Sequence, residues 1–527
     1  MNESSMISFT KNLIQLIFNE KNKTYVKLSI ISLTAVYIFS KVIFFTKEKW
    51  RLKDKNFPPA LKGNFLTKNF FEARRYHMAN KTHQFFSNLN KEHHIISFQI
   101  PFIINGVSVS KASLAKKIIY DPSRFNRADV LSEEALEGLT KKSLFMLKGD
   151  IHKKHRKMLQ PGFSPSHLRI AFEASKECCG RLFKAFHEKK IETFNVYDYF
   201  KYISIDVIGK TIFSYDFELS KDLDVDTPKY DSLKQLENLN VAMQKRGLPR
   251  FLWWFFGVSV GQIRRMAKGI NDTVSTVIEA KKRSLNNRDP STIVGKWGMD
   301  VLDRLIENAW EIGKNNKEAP FTNEELRDEV LGFYFAGLGT TTDSLGLAIL
   351  DILTNPRVQK KLVEEIDATY NKDGGFNHEN FNAMTYIDYV VKECQRIHPI
   401  AFALVKIAMT DTELEGYFIK KDTPVFINLL SIQTNKEYWG EDALEFKPER
   451  WENGFIPVNG SYMPFSDGIM ACIAQKLATV QMKVVLIEFF RKYDISLVPG
   501  QDLSLSVLNG RFGPEKGITI SIKERNL

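Results

Sequence analysis

Four short stretches carry side chains that could do chemistry. In Met463–Ala478, MPFSDGIMACIAQKLA, a single cysteine, Cys472, stands four residues after Gly468 and just before an apolar run. At a helix N-terminus, free backbone N–H groups and the helix dipole favour a thiolate, and a thiolate is a metal ligand. The competing reading is a small buried hydrophobe. In Lys392–Pro399, KECQRIHP, Glu393 and Arg396 lie one helical turn apart and can pair. Phe446–Trp451, FKPERW, adds Arg450 beside a proline. Phe335–Thr342, FAGLGTTT, puts two glycines and three threonines in a row, and the Thr340 hydroxyl can bond the carbonyl of Ala336, four residues back.

These residues need elements to hold them. Thr322-Asn-Glu-Glu325 reads as a capping box, and helical periodicity then runs without proline to Asn355-Pro356. That predicts a helix of roughly thirty residues, about 45 Å long at ~1.5 Å per residue. Its two central glycines cost roughly 1 kcal/mol each, so the backbone is expected to open there, where something approaches closely. Amphipathic helices are expected at Ser166–Lys189, Tyr230–Gln244, Gly261–Asn286 and Cys472–Tyr493. Short β-like runs are His94–Ile104, Thr423–Asn428 and Gly517–Lys523, which makes the chain mostly α with a minor β region.

In order and spacing these pieces resemble the haem-thiolate monooxygenases of the cytochrome P-450 family. The family patterns are A-G-x-D/E-T-T, E-x-x-R, P-E-R-F and F-x-x-G-x-R-x-C-x-G. The resemblance covers the chain from about Pro58 to the end and implies that fold, with a long central helix over a haem. It makes Cys472 the axial thiolate ligand of haem b iron, pushing electron density toward bound oxygen. Phe465 then lies beside the sulfur, and Gly468 lets the loop pack under the macrocycle. Glu393, Arg396 and Arg450 become a buried ionic knot. Ala336 and Gly337 leave room for dioxygen, and Thr340, followed by Thr341, assists proton delivery. Gly149–Arg156, GDIHKKHR, resembles the family's W-x-x-x-R stretch, so His152 and Arg156 are expected at the haem propionates, together with Lys406.

Three positions depart from the pattern. Gly339 stands where the family has an acid, Met470 replaces the loop arginine, and Ala474 replaces a glycine. Loss of the acid puts oxygen activation in question, and Asp343, on the same helix face, is the nearest substitute. Three readings follow: a monooxygenase, a haem-thiolate isomerase or dehydratase acting on peroxides without O2 or reductase, and a non-enzymatic haem-binding membrane protein. The monooxygenase reading implies O2, a lipophilic substrate and electrons from a separate NADPH-cytochrome reductase, with cytochrome b5 as a further donor. With 527 residues, no fused reductase is expected.

Leu28–Phe45, LSIISLTAVYIFSKVIFF, is just long enough to cross a bilayer if Lys41 reaches the interface. Lys47, Lys49, Arg51, Lys53 and Lys55 follow it, which places the remainder on the cytosolic side. The expected organisation is an N-terminal segment, 1–50, with a single-pass endoplasmic-reticulum anchor, then a catalytic domain, 51–527. The aromatic run Leu248–Gly257 either dips into the lipid interface or lines a core. A net charge of +12 suits anionic lipid or an acidic protein partner. The basic residues are scattered without a nucleic-acid signature. Four cysteines without metal-type spacing argue against a disulfide framework.

Overall fold

The computed structural model describes residues 55–61, 82–100, 104–127, 142–223, 234–235, 238, 260–286, 300–303, 305–306, 322–373, 375–506, 513–514 and 516–526. In chain order the elements that matter here begin with α1 (Thr82–Leu89), β1 (Ile95–Ile100), β2 (Ile104–Val109), α2 (Ala112–Ile119) and β3 (Phe125–Arg127). Then come α3 (Gly149–Leu159), α4 (Pro165–Lys189), β4 (Thr193–Asn195), α5 (Val196–Ile212), α6 (Val260–Asn286) and α7 (Asn323–Thr354). The C-terminal part has α8 (Pro356–Asp373), α9 (Tyr386–Ile397), β5 (Ala403–Ala408), β6 (Thr412–Leu414), β7 (Tyr417–Ile419), β8 (Pro424–Asn428), α10 (Gln475–Lys492), β9 (Tyr493–Leu497) and β10 (Thr519–Glu524). The chain is mostly helical with a minor sheet component, as its periodicity indicates.

Helix α7 organises the core. Thr322 Oγ1 accepts the Glu325 N–H at 3.1 Å and Glu325 Oε2 accepts the Thr322 N–H at 2.7 Å, closing the expected capping box. The helix is 32 residues long and helical at every position. The local opening expected at Gly337–Thr342 is therefore not found. The hydroxyls bond backward without breaking the ladder: Thr340 Oγ1 to the Ala336 carbonyl at 2.8 Å, Thr342 Oγ1 to that of Leu338 at 2.6 Å. Two glycines of α7 lie against α5. A Cβ on Gly337 would stand 2.1 Å from Ile208 Cδ1, and one on Gly346 would stand 2.6 Å from the Tyr197 ring. The close approach that the glycine pattern implied is a helix–helix contact. Leu331, Leu345 and Ile349 of α7 join Ile203 and Val207 of α5 and Val484 and Phe489 of α10 in one buried apolar cluster.

The larger sheet has the order β1-β2-β8-β5-β3. β2 and β8 run parallel, and the other pairs antiparallel. The β3–β5 register sets Arg127 directly opposite Lys406. A second sheet has the order β4-β10-β9. The expected strand His94–Ile104 divides, with β1 ending at Ile100 and β2 starting at Ile104. The expected helix Cys472–Tyr493 starts later, at Gln475, because the chain before it is taken up by a turn at Gly468–Met470 and by Ala474 as cap.

A small separate unit contains residues 55–57 and the hairpin Glu413–Ile419 among its described parts. Asn56 Nδ2 donates to the Gly416 carbonyl at 3.0 Å, the Phe418 N–H donates to the Asn56 carbonyl at 2.6 Å, and Phe57 meets Phe418 edge to face. The expected anchor at 28–45 and the aromatic run at 248–257 lie outside the described residues, as does the expected helix at 230–244 except for residues 234, 235 and 238, which are helical. Among those described, no helix is long and apolar enough to cross a membrane.

Candidate active site

The site rests on a buried ionic knot. Arg396 donates to both carboxylate oxygens of Glu393, at 2.9 and 2.8 Å, and neither side chain is exposed. The rest of its guanidinium is taken by the carbonyls of Gln433 (2.9 Å), Ala443 (2.7 Å) and Glu445 (3.2 Å). Arg450 donates to Glu393 Oε1 at 3.2 Å and to Asp442 Oδ1 at 2.9 Å, while the Trp451 indole N–H reaches Glu393 Oε2 at 2.9 Å. Two buried charges are tolerable here because their lone pairs and protons are almost all used. The knot extends to the cysteine loop through Gln433, whose side-chain oxygen accepts the Met463 N–H at 2.8 Å.

From Met463 the loop turns twice through left-handed backbone, at Ser466 (φ 64°) and Gly468 (φ 68°). Glycine is needed at 468, where a Cβ would also approach Ile119 Cγ2 to 3.3 Å. The Cys472 N–H donates to the Phe465 carbonyl at 2.9 Å, folding the loop back so that these two residues adjoin. Cys472 is solvent-accessible, with protein packed around its sulfur. Enclosure pushes its thiol up, and the Ala474 N–H and Arg156 pull against it. The other three cysteines, Cys178, Cys179 and Cys394, are buried, and burial pushes their thiols far up.

Above the loop lies a cluster of basic groups. Arg156, on α3, donates to the Ala471 carbonyl at 2.6 Å, tying that helix to the residue before the cysteine. Burial holds its guanidinium below the usual range, as it does for Arg127, where Arg156 adds repulsion. Burial and Arg127 bring the Lys406 ammonium down to about 8. Burial, Arg127 and Arg156 bring the His152 imidazole down to about 4, and its buried Nδ1 has no hydrogen-bond partner. Among the described residues, no carboxylate pairs with any of the four. Like charges set opposite one another across a ladder destabilise it unless an anion sits between them. Two propionate carboxylates would offset two of the three cationic charges and give the orphaned imidazole nitrogen a partner, so the residues fit a haem whose iron Cys472 would ligate.

On α7, Ala336 is half-buried and Thr340 exposed, one turn apart on one face. Thr341, expected to work beside Thr340, is buried on the adjoining face. Gly337, expected to make room for dioxygen, is instead filled against by Ile208. Phe335 links this face to the cations: its ring lies 6.2 Å from that of Phe145, which in turn lies 5.9 Å from the Arg127 guanidinium. Half-buried Phe333, Phe335, Ile400 and Phe402 border the core. On the outside, His152, Lys153, Arg156, Lys157, Gln160, Pro161 and the exposed Ile469 line a basic groove.

A cysteine loop on a buried Glu–Arg knot, under cations fit for propionates, defines a haem-thiolate protein. The Cytochrome P450 family model matches residues 58–518, and the chain belongs to that family, whose members are haem b oxidoreductases of the monooxygenase type with a cysteine thiolate ligand. It is similar to Cytochrome P450 3A30 of Fundulus heteroclitus, 28% identical over 75% of this chain and 82% of that protein. Cytochrome P450 3A40 of Oryzias latipes is 27% identical over 77% and 83%. Protein LUTEIN DEFICIENT 5, chloroplastic, of Arabidopsis thaliana is 25% identical over 79% and 70%.

Of the residues singled out by sequence, the structure brings Glu393, Arg396 and Arg450 into one knot. It joins Arg156 to the Cys472 loop and puts His152 and Lys406 in one basic cluster. Arg127 carries no local sequence signal. It sits on a three-residue strand whose partner is nearly 280 residues away (406 less 127), and only the register reveals it.

Proposed function

We propose that this chain is a membrane-bound monooxygenase that inserts one oxygen atom from O2 into a lipophilic substrate, with electrons from a separate NADPH-dependent reductase. The observation that carries this is the bond from Arg156 to the Ala471 carbonyl, which couples an otherwise unneutralised cationic cluster to the Cys472 loop. When bound, haem supplies the activation and transfer of oxygen. The chain supplies position and protons. Cys472 would ligate the haem iron, and Arg127, Arg156 and Lys406 would hold the haem carboxylates. Thr340 Oγ1, held by the Ala336 carbonyl, is the accessible hydroxyl that can hold a proton on the α7 face. The apolar border at Phe333, Phe335, Ile400 and Phe402 suits a lipophilic substrate. The basic groove along α3 suits an acidic reductase surface, with cytochrome b5 as a further donor. Leu28–Phe45 and its cationic flank support a single-pass anchor in the endoplasmic reticulum with the catalytic part in the cytosol.

The test is made on the full-length protein. Pyridine-hemochrome analysis should give one haem per chain, and the reduced carbonyl complex should show the thiolate-type band, which Cys472→Ser removes. With a generic reductase and a substrate that shifts the spin state, NADPH should be consumed and oxygenated product formed. Haem with a thiolate band but no NADPH use would replace this reading by a peroxide isomerase, and absence of haem would overturn it.

A further inference from the structure

We propose that Lys116 and Tyr120 of the α2 segment are positioning residues that set the Cys472 loop against the haem by gripping Asp467. The inference rests on the haem-thiolate reading above. Between Phe465 and Cys472 the loop carries one charged side chain, Asp467. Its Oδ1 accepts the Tyr120 hydroxyl at 2.9 Å and the Gly468 N–H at 2.7 Å, and its Oδ2 is paired with the Lys116 ammonium. Lys116 and Tyr120 are four apart on one face, with the ammonium 4.7 Å from the ring centre. One carboxylate thus fastens a doubly left-handed loop to a helix at its sharpest point.

The start of the same helix packs against the chain that leads into the loop and against Tyr438. A Cβ on Gly460 would stand 2.5 Å from the Ala112 carbonyl oxygen, and the Ala112 N–H donates to the Tyr438 hydroxyl at 3.2 Å. Immediately after α2 the chain turns, the Phe125 N–H bonding the Asp121 carbonyl at 2.8 Å, into the strand that carries Arg127. The segment 112–127 therefore holds the thiolate loop at one end and a propionate cation at the other. Met470 gives the loop no cation of its own. Its spacing from the propionate cations is set instead by Arg156 on one side and by the Asp467 clamp on the other.

A partly exposed ion pair of this kind adds little to global stability. The effect sought is on the cysteine's position, read as the share of thiol-type against thiolate-type band in the reduced carbonyl complex of the full-length protein. Lys116→Met and Asp467→Asn should each raise the thiol-type share about fivefold, the factor for one exposed pair. Lys116→Arg should restore the wild-type share, and the double variant should be no worse than either single one. The haem-free melting temperature should stay unchanged throughout. A wild-type share in Lys116→Met, or additive effects in the double variant, would overturn the proposal. If Lys116→Met does not fold, Tyr120→Phe carries the same expectation in smaller degree, and a wild-type share there overturns it equally. A wild-type protein with no thiolate band sinks the haem-thiolate reading itself, whereas an intact wild-type band that no clamp variant alters sinks this inference alone.

Discussion

Arg127 and Lys406 stand directly opposite each other on adjoining antiparallel strands, and Arg127, with burial, holds the Lys406 ammonium below its ordinary range. Such a pair opposes folding of the protein by itself and favours the protein with its cofactor. The site is preorganised for anions, and the haem-free protein bears the strain.

Removing one cation should therefore act in opposite directions on the two forms. Arg127→Gln is expected to raise the melting temperature of haem-free protein while speeding haem transfer to an acceptor by roughly tenfold or more, the loss of one charge-assisted bond. Thermal melts and haem-transfer kinetics measure the two. Movement of both in the same direction would show that Arg127 has only a packing role.

His152 gives the haem-free protein a defined acid sensitivity. Its imidazole is brought down to about 4 from an ordinary value of 6.5. Between those values the unfolded chain takes up a proton that the folded chain refuses, so stability falls as pH drops through that window. The loss is at most about 3 kcal/mol. Urea melts of His152→Gln should show a shallower slope from pH 6.5 to 4 than the native sequence. An equal slope would assign the acid sensitivity to carboxylates.

In the ionic knot, Arg396→Met leaves Glu393 buried and half-unpaired and should cost about 3–5 kcal/mol in denaturant melts. Arg396→Lys should rescue little of it. The guanidinium fills two carboxylate oxygens and three carbonyls at fixed angles, which one ammonium cannot span. Near-complete rescue by lysine would mean that charge alone matters there.

Gly339 leaves Thr340 without an adjacent acid. Thr340 can pass a proton on but has none to spare, since its hydroxyl is spent on the Ala336 carbonyl. The native enzyme should therefore release much of its reducing power as peroxide or water. Gly339→Asp should raise product per NADPH, and Asp343→Asn should lower it. Tight coupling in the native enzyme, untouched by Asp343→Asn, would show that protons arrive by another route.

What was legible in the sequence was what local spacing encodes. The capping box at Thr322, the pairing of Glu393 with Arg396, and helices α4 and α6 follow from periodicity and from contacts within one turn. What escaped depends on distant chain. Arg127 acquires its meaning from a register with β5, and Asp467 from two side chains nearly 350 residues earlier (467 less 120). Gly337 looked like space for a ligand because the sequence does not say which face of α7 meets α5; Ile208 occupies that space. Cys472 precedes its helix by three residues because the left-handed turns of the loop must be completed first.

The uneven placement of the four thiols has a practical consequence. Three are sealed in the core and chemically inert, so an alkylating reagent meets only Cys472 on the folded chain. Iron at that sulfur would shield it. Mild maleimide labelling of a folded preparation thus counts the molecules lacking cofactor, and a mass spectrum taken afterwards reads cofactor occupancy directly, without substrate, reductase or an absorbance coefficient.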